Sequence, residues 1–360
     1  MRKIPVIMFG AGGVGRSLLE QMVESRPVLA ARNQIAFKLV AVADSRTWRW
    51  QPDGLSDEQV DRLVAAKAAG GLVGEAERPS LTEILQQAAA AGIEQAVVVD
   101  VTAEDGLEPM IDTALDLGYS LALANKKPFA GPWQTAQRYF NQPRIRYEST
   151  VGGGQPVIAT LRYLLDVNDP PQAIEGQLSG TLGFICGQLD QGIPFSQALA
   201  TAKANGYTEP DPREDLGGKD VMRKVMILGR MAGWPLAEVD IEVESLYPAE
   251  LAGLPVADFM EAIRQADGAM AQRVAVAKAE GMVLRHTAVL SQAQKRVGLT
   301  ALSATDPLAN LKYISFRTRH FHDQPLFIGG KGAGVAITAY GVLGDMVGLV
   351  RERKKAEGRG

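Results

Sequence analysis

The chain contains a single cysteine, Cys186, so no internal disulfide framework can form and a reducing compartment is implied. With no histidine or second cysteine near it, Cys186 reads as a small buried hydrophobe rather than a nucleophile or metal ligand. Histidine is scarce too. His286, His320 and His322 lie outside every polar cluster, and the last two share one face if their segment is an extended strand; packing or surface roles suit them better than metal ligation. No run of about eighteen apolar residues occurs, which excludes a hydrophobic spanning helix. The basic start Met1-Arg-Lys-Ile-Pro leads at once into a short apolar run and a glycine loop, unlike a cleaved signal, and these absences together predict a cytoplasmic protein. Charge of one sign is also missing. With 38 basic and 41 acidic residues the formal charge is −3, too balanced for a nucleic-acid or acidic-membrane partner. The one locally basic stretch, Arg351-Glu-Arg-Lys-Lys355, reads as a solvated helix end.

What is present suffices for two cores: 360 residues, 46% of them hydrophobic, with no internal repeat or low-complexity segment. The first third alternates short apolar runs with helical patterns, in the βαβ rhythm of a parallel sheet covered by helices. Its strands are expected at Val6–Phe9, Phe37–Ala43, Gln95–Val101, Ser120–Ala124 and Ile145–Glu148, with Ala65–Gly74 as a surface excursion. Gly152-Gly-Gly154 and Pro156 break the rhythm, which places a boundary near Thr150. Three regions follow: a Rossmann-like doubly wound nucleotide domain over 1–150, an α+β catalytic and dimerisation domain over 151–328, and a glycine loop with a helix over 329–360 that returns to the first domain. Strands of the second domain are expected at Ala173–Leu178, Ala288–Leu290, Arg296–Leu299 and Lys312–Phe316, leaving an open sheet that a second subunit could cover.

Gly10-Ala-Gly-Gly-Val-Gly15 follows a strand and opens a helix, the context that gives GxGxxG its meaning. Gly10, Gly12, Gly13, Val14 and Gly15 are therefore candidate dinucleotide ligands, with the helix N-terminus supplying donors for the phosphates. Strand Phe37–Ala43 ends in Asp44, the usual place for an acid on the adenosine ribose. Its distance from Gly15, 44 − 15 = 29 positions, exceeds the customary roughly 20, and Glu24–Gln34 can absorb the surplus. Asp44 argues for NAD, while Arg46 could meet a 2′-phosphate, so the choice stays open. Asn125-Lys126-Lys127-Pro128 lies just past a strand end, where a lysine can reach the ligand crevice.

The densest polar stretch is Gly206-Tyr-Thr-Glu-Pro-Asp-Pro-Arg-Glu-Asp-Leu-Gly-Gly-Lys-Asp-Val-Met-Arg-Lys224, a Pro- and Gly-broken loop running into an apolar helix. Helical spacing makes Asp220 and Lys224 neighbours one turn apart. EF-hand spacing is absent, and Gly329-Gly-Lys-Gly-Ala-Gly334 lacks the Ser or Thr of a P-loop; it reads as a helix-opening turn whose backbone approaches a cofactor.

Taken in order, the glycine loop, Ala124-Asn-Lys-Lys-Pro128, Tyr147-Glu-Ser-Thr-Val-Gly-Gly-Gly154, Leu178-Ser-Gly-Thr-Leu182, the 206–224 segment and Lys331-Gly-Ala-Gly334 resemble homoserine dehydrogenase over nearly the whole chain. That resemblance implies NAD(P)-dependent interconversion of L-homoserine and L-aspartate 4-semialdehyde, on the route to threonine, methionine and isoleucine, by a homodimer. It implies Lys224 and Lys126 at the reacting oxygen, with Asp220 orienting Lys224. Glu209 would bind the substrate's ammonium, with Asp215, Gly180 and Thr181 lining the substrate site. Ser45, Arg46, Thr102, Asn125, Lys126 and Gly334 join the glycine loop and Asp44 around the cofactor. Glu148, Val151, Gly153 and Gln155 resemble a Na+ or K+ site built largely of backbone carbonyls, in which Gln155 replaces an aliphatic residue. The chain ends too early for the aspartate kinase or regulatory ACT domain of some relatives, so threonine feedback is not expected. Two other readings stay open: another amino-acid dehydrogenase of the same layout, and a nicotinamide-sensing regulator, against which the absence of a basic helix-turn-helix weighs.

Overall fold

The computed structural model describes residues 1–357. The chain divides into two units: Met1–Pro156 with the segment from Ala333 onward, and Val157–Gly332.

The first unit is built on a seven-stranded sheet: β1 (Arg2–Phe9), β2 (Ile35–Ala43), β3 (Thr47–Trp50), β4 (Ala76–Glu77), β5 (Val97–Asp100), β6 (Ser120–Leu123) and β7 (Ile145–Arg146), in the order β4-β3-β2-β1-β5-β6-β7. Strands β2, β1, β5, β6 and β7 pair in parallel. Val97–Val99 and Leu121–Leu123 are fully buried, as helices on both faces of a parallel sheet require. The chain winds first to the β2 side of β1 and later to the β5 side, so the carboxyl ends of β1 and β5 form the switch point where such sheets bind ligands.

Three features of this unit depart from the sequence reading. Strands β3 and β4 extend the sheet in antiparallel fashion, because Asp44 turns the chain back: its carboxylate accepts the N–H groups of Arg46 and Thr47, at 2.8 Å each. Residues 65–74 are only partly a surface excursion. Ala65–Ala68 close the Asp57–Ala68 helix, whose Ser56/Gln59 capping box is a local start signal, and Val73 is buried. The helix beginning at Val335 packs against the Gly13–Glu24 helix, and Ala339, Val342, Leu343, Met346 and Leu349 join the core of this unit. Its basic end is not wholly solvated, since Arg353 donates to the Gln95 carbonyl and to Ser120 Oγ, both at 2.6 Å.

The second unit holds β8 (Ala173–Gly176), β9 (Glu242–Val243), β10 (Met282–Ser291), β11 (Lys295–Ser303), β12 (Tyr313–Arg317) and β13 (Leu326–Gly329), ordered β13-β12-β8-β10-β11-β9. The central strands run longer than expected because β10 and β11 form one continuous antiparallel ladder from Met282/Ser303 to Leu290/Lys295. Helices Gly180–Asp190, Lys219–Met231 and Asp267–Ala279 pack against β10, with Leu182, Ile185, Phe195, Leu199, Phe259 and Leu284 in the core. His320 and His322 do not lie on a strand; they sit in the bends between β12 and β13, where His320 meets Asp169 and His322 meets Asp323. His286 is buried on β10 with neither ring nitrogen hydrogen-bonded, and burial pushes it down to about 4, so it is neutral at physiological pH.

Candidate active site

In the first unit the glycine loop turns sharply between β1 and the helix from Gly13. Only glycine fits at position 15: a Cβ there would stand 2.1 Å from the Gly10 carbonyl oxygen. Gly12 caps the helix without a side-chain bond, and a Cβ on it would meet nothing within 4 Å, so open space lies over first-turn N–H groups that have no acceptor inside the helix. This is a cradle for an anion such as a dinucleotide pyrophosphate.

At the end of β2, Asp44 is already engaged. Its Oδ2 accepts from Lys67 Nζ at 2.7 Å, and the two side chains are only 9% and 13% exposed. Burial would raise this carboxyl, but the Lys67 bond with the Thr47 and Arg46 N–H groups outweighs it and holds Asp44 below the usual carboxylate range. The acid expected on the ribose is thus neutralised by a lysine that sequence reasoning missed, since Lys67 sits in an alanine-rich helix without a motif. Arg46 and Ser45 are exposed beside it.

At the end of β5, Asp100 Oδ1 accepts from the Thr102 N–H (3.0 Å) and Oγ1 (2.7 Å), while its buried Oδ2 has no partner. Burial pushes its carboxyl up to about 6, with Thr102 opposing the shift and the negative Glu104 adding to it. Asn125 closes the neighbouring turn, donating to the Glu104 carbonyl at 2.9 Å and accepting from the Lys127 N–H at 3.0 Å. Lys127 itself is held by Asp105 and the Ala103 carbonyl, both at 2.7 Å, and so points away from a ligand. Thr102, Asn125 and Lys126 are therefore brought to adjacent strand ends of one sheet. A polar residue closing the apolar run Val97-Val-Val-Asp100 was the signal that could have found Asp100.

Asp100 carries a pH prediction. Because its folded pKa is raised, the stability it contributes is complete below about 4 and is lost as pH rises through about 6. A shift of this size costs on the order of 2–3 kcal/mol once the group ionises. The melting temperature of Asp100→Asn minus that of the native chain should therefore climb by a few degrees from pH 4 to pH 7 and level off above that. Parallel melting profiles would show that Asp100 does not change charge there.

The second unit assembles the charged segment. Lys224 Nζ lies 2.6 Å from Asp220 and donates to the Leu178 carbonyl at 2.9 Å, with its side chain 15% exposed. The one-turn spacing read from sequence is thus a real ion pair. Asp215 Oδ2 accepts the Glu209 N–H at 2.8 Å, which folds the loop so that these two acids lie together. Burial raises the Asp215 carboxyl; the bond from the Glu209 N–H opposes this, and the negative Asp220 and Glu214 reinforce it. Thr181 Oγ1 donates to the Tyr207 carbonyl at 2.5 Å, tying the start of the Gly180–Asp190 helix to the same loop. Arg213 anchors the loop from behind: it pairs with Asp211 at 2.6 Å and donates to the carbonyls of Ala252 (2.7 Å) and Leu254 (2.6 Å).

In the 148–155 turn, Glu148 N–H donates to Asp345 at 2.8 Å, and Gly152 and Gly153 take positive φ values of 77° and 65°. Gln155 Nε2 is buried without an acceptor; a half-turn of the amide would place its oxygen there instead. Among the described residues no cluster of three or more His, Cys, Asp or Glu side chains could hold a metal ion, and no helix is long and apolar enough to cross a membrane.

A Rossmann-type unit with a glycine-loop anion cradle and an α+β unit carrying a lysine–carboxylate cluster define the class: a chain of two-unit dehydrogenase architecture. The chain belongs to the homoserine dehydrogenase family, whose model matches residues 156–347. It is 34% identical to the homoserine dehydrogenase of Emericella nidulans, with 95% of this chain and 97% of that one covered. It is also 34% identical to the bifunctional aspartokinase/homoserine dehydrogenase of Haemophilus influenzae, covering 96% of this chain but 42% of that protein. The chain thus spans about two fifths of the length of such bifunctional relatives. Among solved structures, a Candida auris protein of unknown function superposes with a TM-score of 0.85 at 28% identity, covering 98% and 99% of the two chains. A hyperthermophilic archaeal homoserine dehydrogenase in complex with NADPH gives 0.73 at 22%, covering 98% of each, and shares the fold.

Proposed function

We propose that the chain interconverts L-homoserine and L-aspartate 4-semialdehyde with a nicotinamide dinucleotide. Family membership supports this reading, and one observation of the site carries it: Asp215 is a half-buried, under-compensated carboxylate that accepts the Glu209 N–H, on the segment that leads into the helix where Asp220 anchors Lys224 one turn on. A bound α-ammonium would supply the charge that Asp215 lacks. The proposed roles place Glu209 and Asp215 on that ammonium, with Gly180 and Thr181 lining the same site, and put Lys224 and Lys126 at the reacting oxygen.

NAD(P), when bound, supplies the hydride acceptor or donor. The glycine loop would hold its phosphates, with Thr102, Asn125, Lys126 and Gly334 further along the dinucleotide. As the alcohol and aldehyde interconvert, charge develops on the substrate oxygen, and an ammonium aimed there stabilises it. Lys224 Nζ exchanges the proton, Asp220 and the Leu178 carbonyl fix its direction, and Lys126 acts through its charge. Glu148, Val151, Gly153 and Gln155 are proposed to line a monovalent-cation site, for which the tightly turned backbone and a rotatable Gln155 amide are suitable oxygen sources. A homodimer in the cytoplasm completes the reading.

The deciding experiment is the initial rate with L-homoserine, comparing NADP with NAD and sodium with potassium. Turnover of aspartate or another amino acid in place of homoserine would favour a different amino-acid dehydrogenase, and dinucleotide binding without any turnover would favour a sensor. Glu209→Ala should raise KM for homoserine about tenfold or more, the loss expected for one charge-assisted hydrogen bond. An unchanged KM would remove Glu209 from the ammonium site.

A further inference from the structure

Two further lysines stand beside Lys224: Lys312, outside every motif, and Lys331, at the head of the Lys331-Gly-Ala-Gly334 segment. Strands β8 and β12 are antiparallel with Gly176 opposite Ile314, and the Gln177 N–H donates to the Tyr313 carbonyl at 2.9 Å, so the next step sets Leu178 abreast of Lys312. Leu178 is the residue whose carbonyl holds Lys224 Nζ. On its other side, the Lys312 carbonyl accepts the Gly330 N–H at 3.1 Å, which brings Lys331 to the same end of the sheet. Lys224, Lys312 and Lys331 thus gather where β8, β12 and β13 meet.

Lys312 is half-buried, and its ammonium is pushed down from the usual lysine range by burial first and then by the positive charges of Lys224 and Lys331. Among the described residues neither Lys312 nor Lys331 forms an ion pair, and the carboxylate paired with Lys224 is that of Asp220. Partly desolvated cations beside like charges are unfavourable until an anion arrives.

We infer that Lys312, seconded by Lys331, receives the α-carboxylate of the amino-acid substrate and so makes that carboxylate a condition of efficient turnover. This rests on the function proposed above. An amino-acid substrate brings one ammonium and one carboxylate; Glu209 and Asp215 answer the first, and Lys224 is assigned to the reacting oxygen. A zwitterion fits a site with acids at one end and lysines at the other.

The test compares L-homoserine with L-homoserine amide, which keeps the hydroxyl and the ammonium. The native chain should strongly prefer the acid. In Lys312→Gln, kcat/KM for homoserine should fall about tenfold to a hundredfold, chiefly through KM, in keeping with loss of a charged hydrogen bond. The amide should be little affected, so the preference collapses by the same factor. Lys312→Arg should recover most of it, Lys331→Gln on its exposed loop should show a smaller collapse, and NADPH affinity by fluorescence should be unchanged in all three. An acid-to-amide ratio unaltered in Lys312→Gln and Lys331→Gln overturns the inference, and weakened NADPH binding in its place would reassign the lysines to a phosphate. Should Lys312→Gln fail to fold, the ratio in Lys331→Gln decides. Absence of homoserine turnover by the native chain would instead sink the function reading itself.

Discussion

Replacing Lys224 by alanine is expected to lower kcat for homoserine by about a hundredfold or more, the scale for loss of a proton-transferring or charge-stabilising group. The expectation follows from how tightly the ammonium is aimed. Its contact with Asp220 and its bond to the Leu178 carbonyl fix two of its three N–H directions, leaving one for a substrate oxygen. Since the interaction is strongest when the oxygen carries charge, kcat and kcat/KM should drop together while dinucleotide affinity stays near that of the native chain. Asp220→Asn offers the internal comparison. It keeps an oxygen for Lys224 but removes the charge, so a smaller loss is expected than for Lys224→Ala. Near-native turnover by Lys224→Ala would take this lysine out of the mechanism and leave Lys126 as the cation at the reacting oxygen.

How far this site was legible in the sequence depends on whether its contacts are local. Asp220 and Lys224 are one helical turn apart, so spacing alone determines that they meet, and the glycine loop reads equally well because GxGxxG between a buried strand and an amphipathic helix has few alternatives. Strands β1, β2, β5 and β6 were visible because strands covered on both faces are continuous apolar runs. The edge strands β3 and β4 were not: Thr47-Trp-Arg-Trp50 and Ala76-Glu77 are short, and their pairing depends on the turn that Asp44 builds. Lys312 and Lys331 come beside Lys224 only through the register of β8, β12 and β13, which no local pattern specifies. Asp44 shows the same limit from the other direction. Its position was read correctly, but its partner lies 23 residues away, and that partner reverses what the carboxylate can do.

That reversal leads to the second large effect, a preference for NADP over NAD that Lys67 controls. A carboxylate binds a ribose diol by accepting two hydroxyl protons, which requires free oxygen lone pairs and negative potential. Asp44 has little of either to offer, with Oδ1 bonded to two backbone N–H groups and Oδ2 to an almost buried lysine. A 2′-phosphate would instead find Lys67 on Asp44 and the exposed Arg46 beside it, a pairing of opposite charges in a partly dry setting. Lys67→Ala should therefore weaken NADP by about tenfold or more, the usual scale for one charged hydrogen bond. It should also improve NAD, because the released carboxylate regains its lone pairs. Measured as the ratio of kcat/KM with the two cofactors, both changes act in one direction, so the ratio should shift by more than either affinity alone. Lys67→Ala combined with Asp44→Asn should lose the NAD gain while keeping the NADP loss, separating release of the carboxylate from removal of the cation. A native chain that prefers NAD, or a Lys67→Ala ratio equal to the native one, would show that Lys67 serves only to anchor Asp44 in the fold.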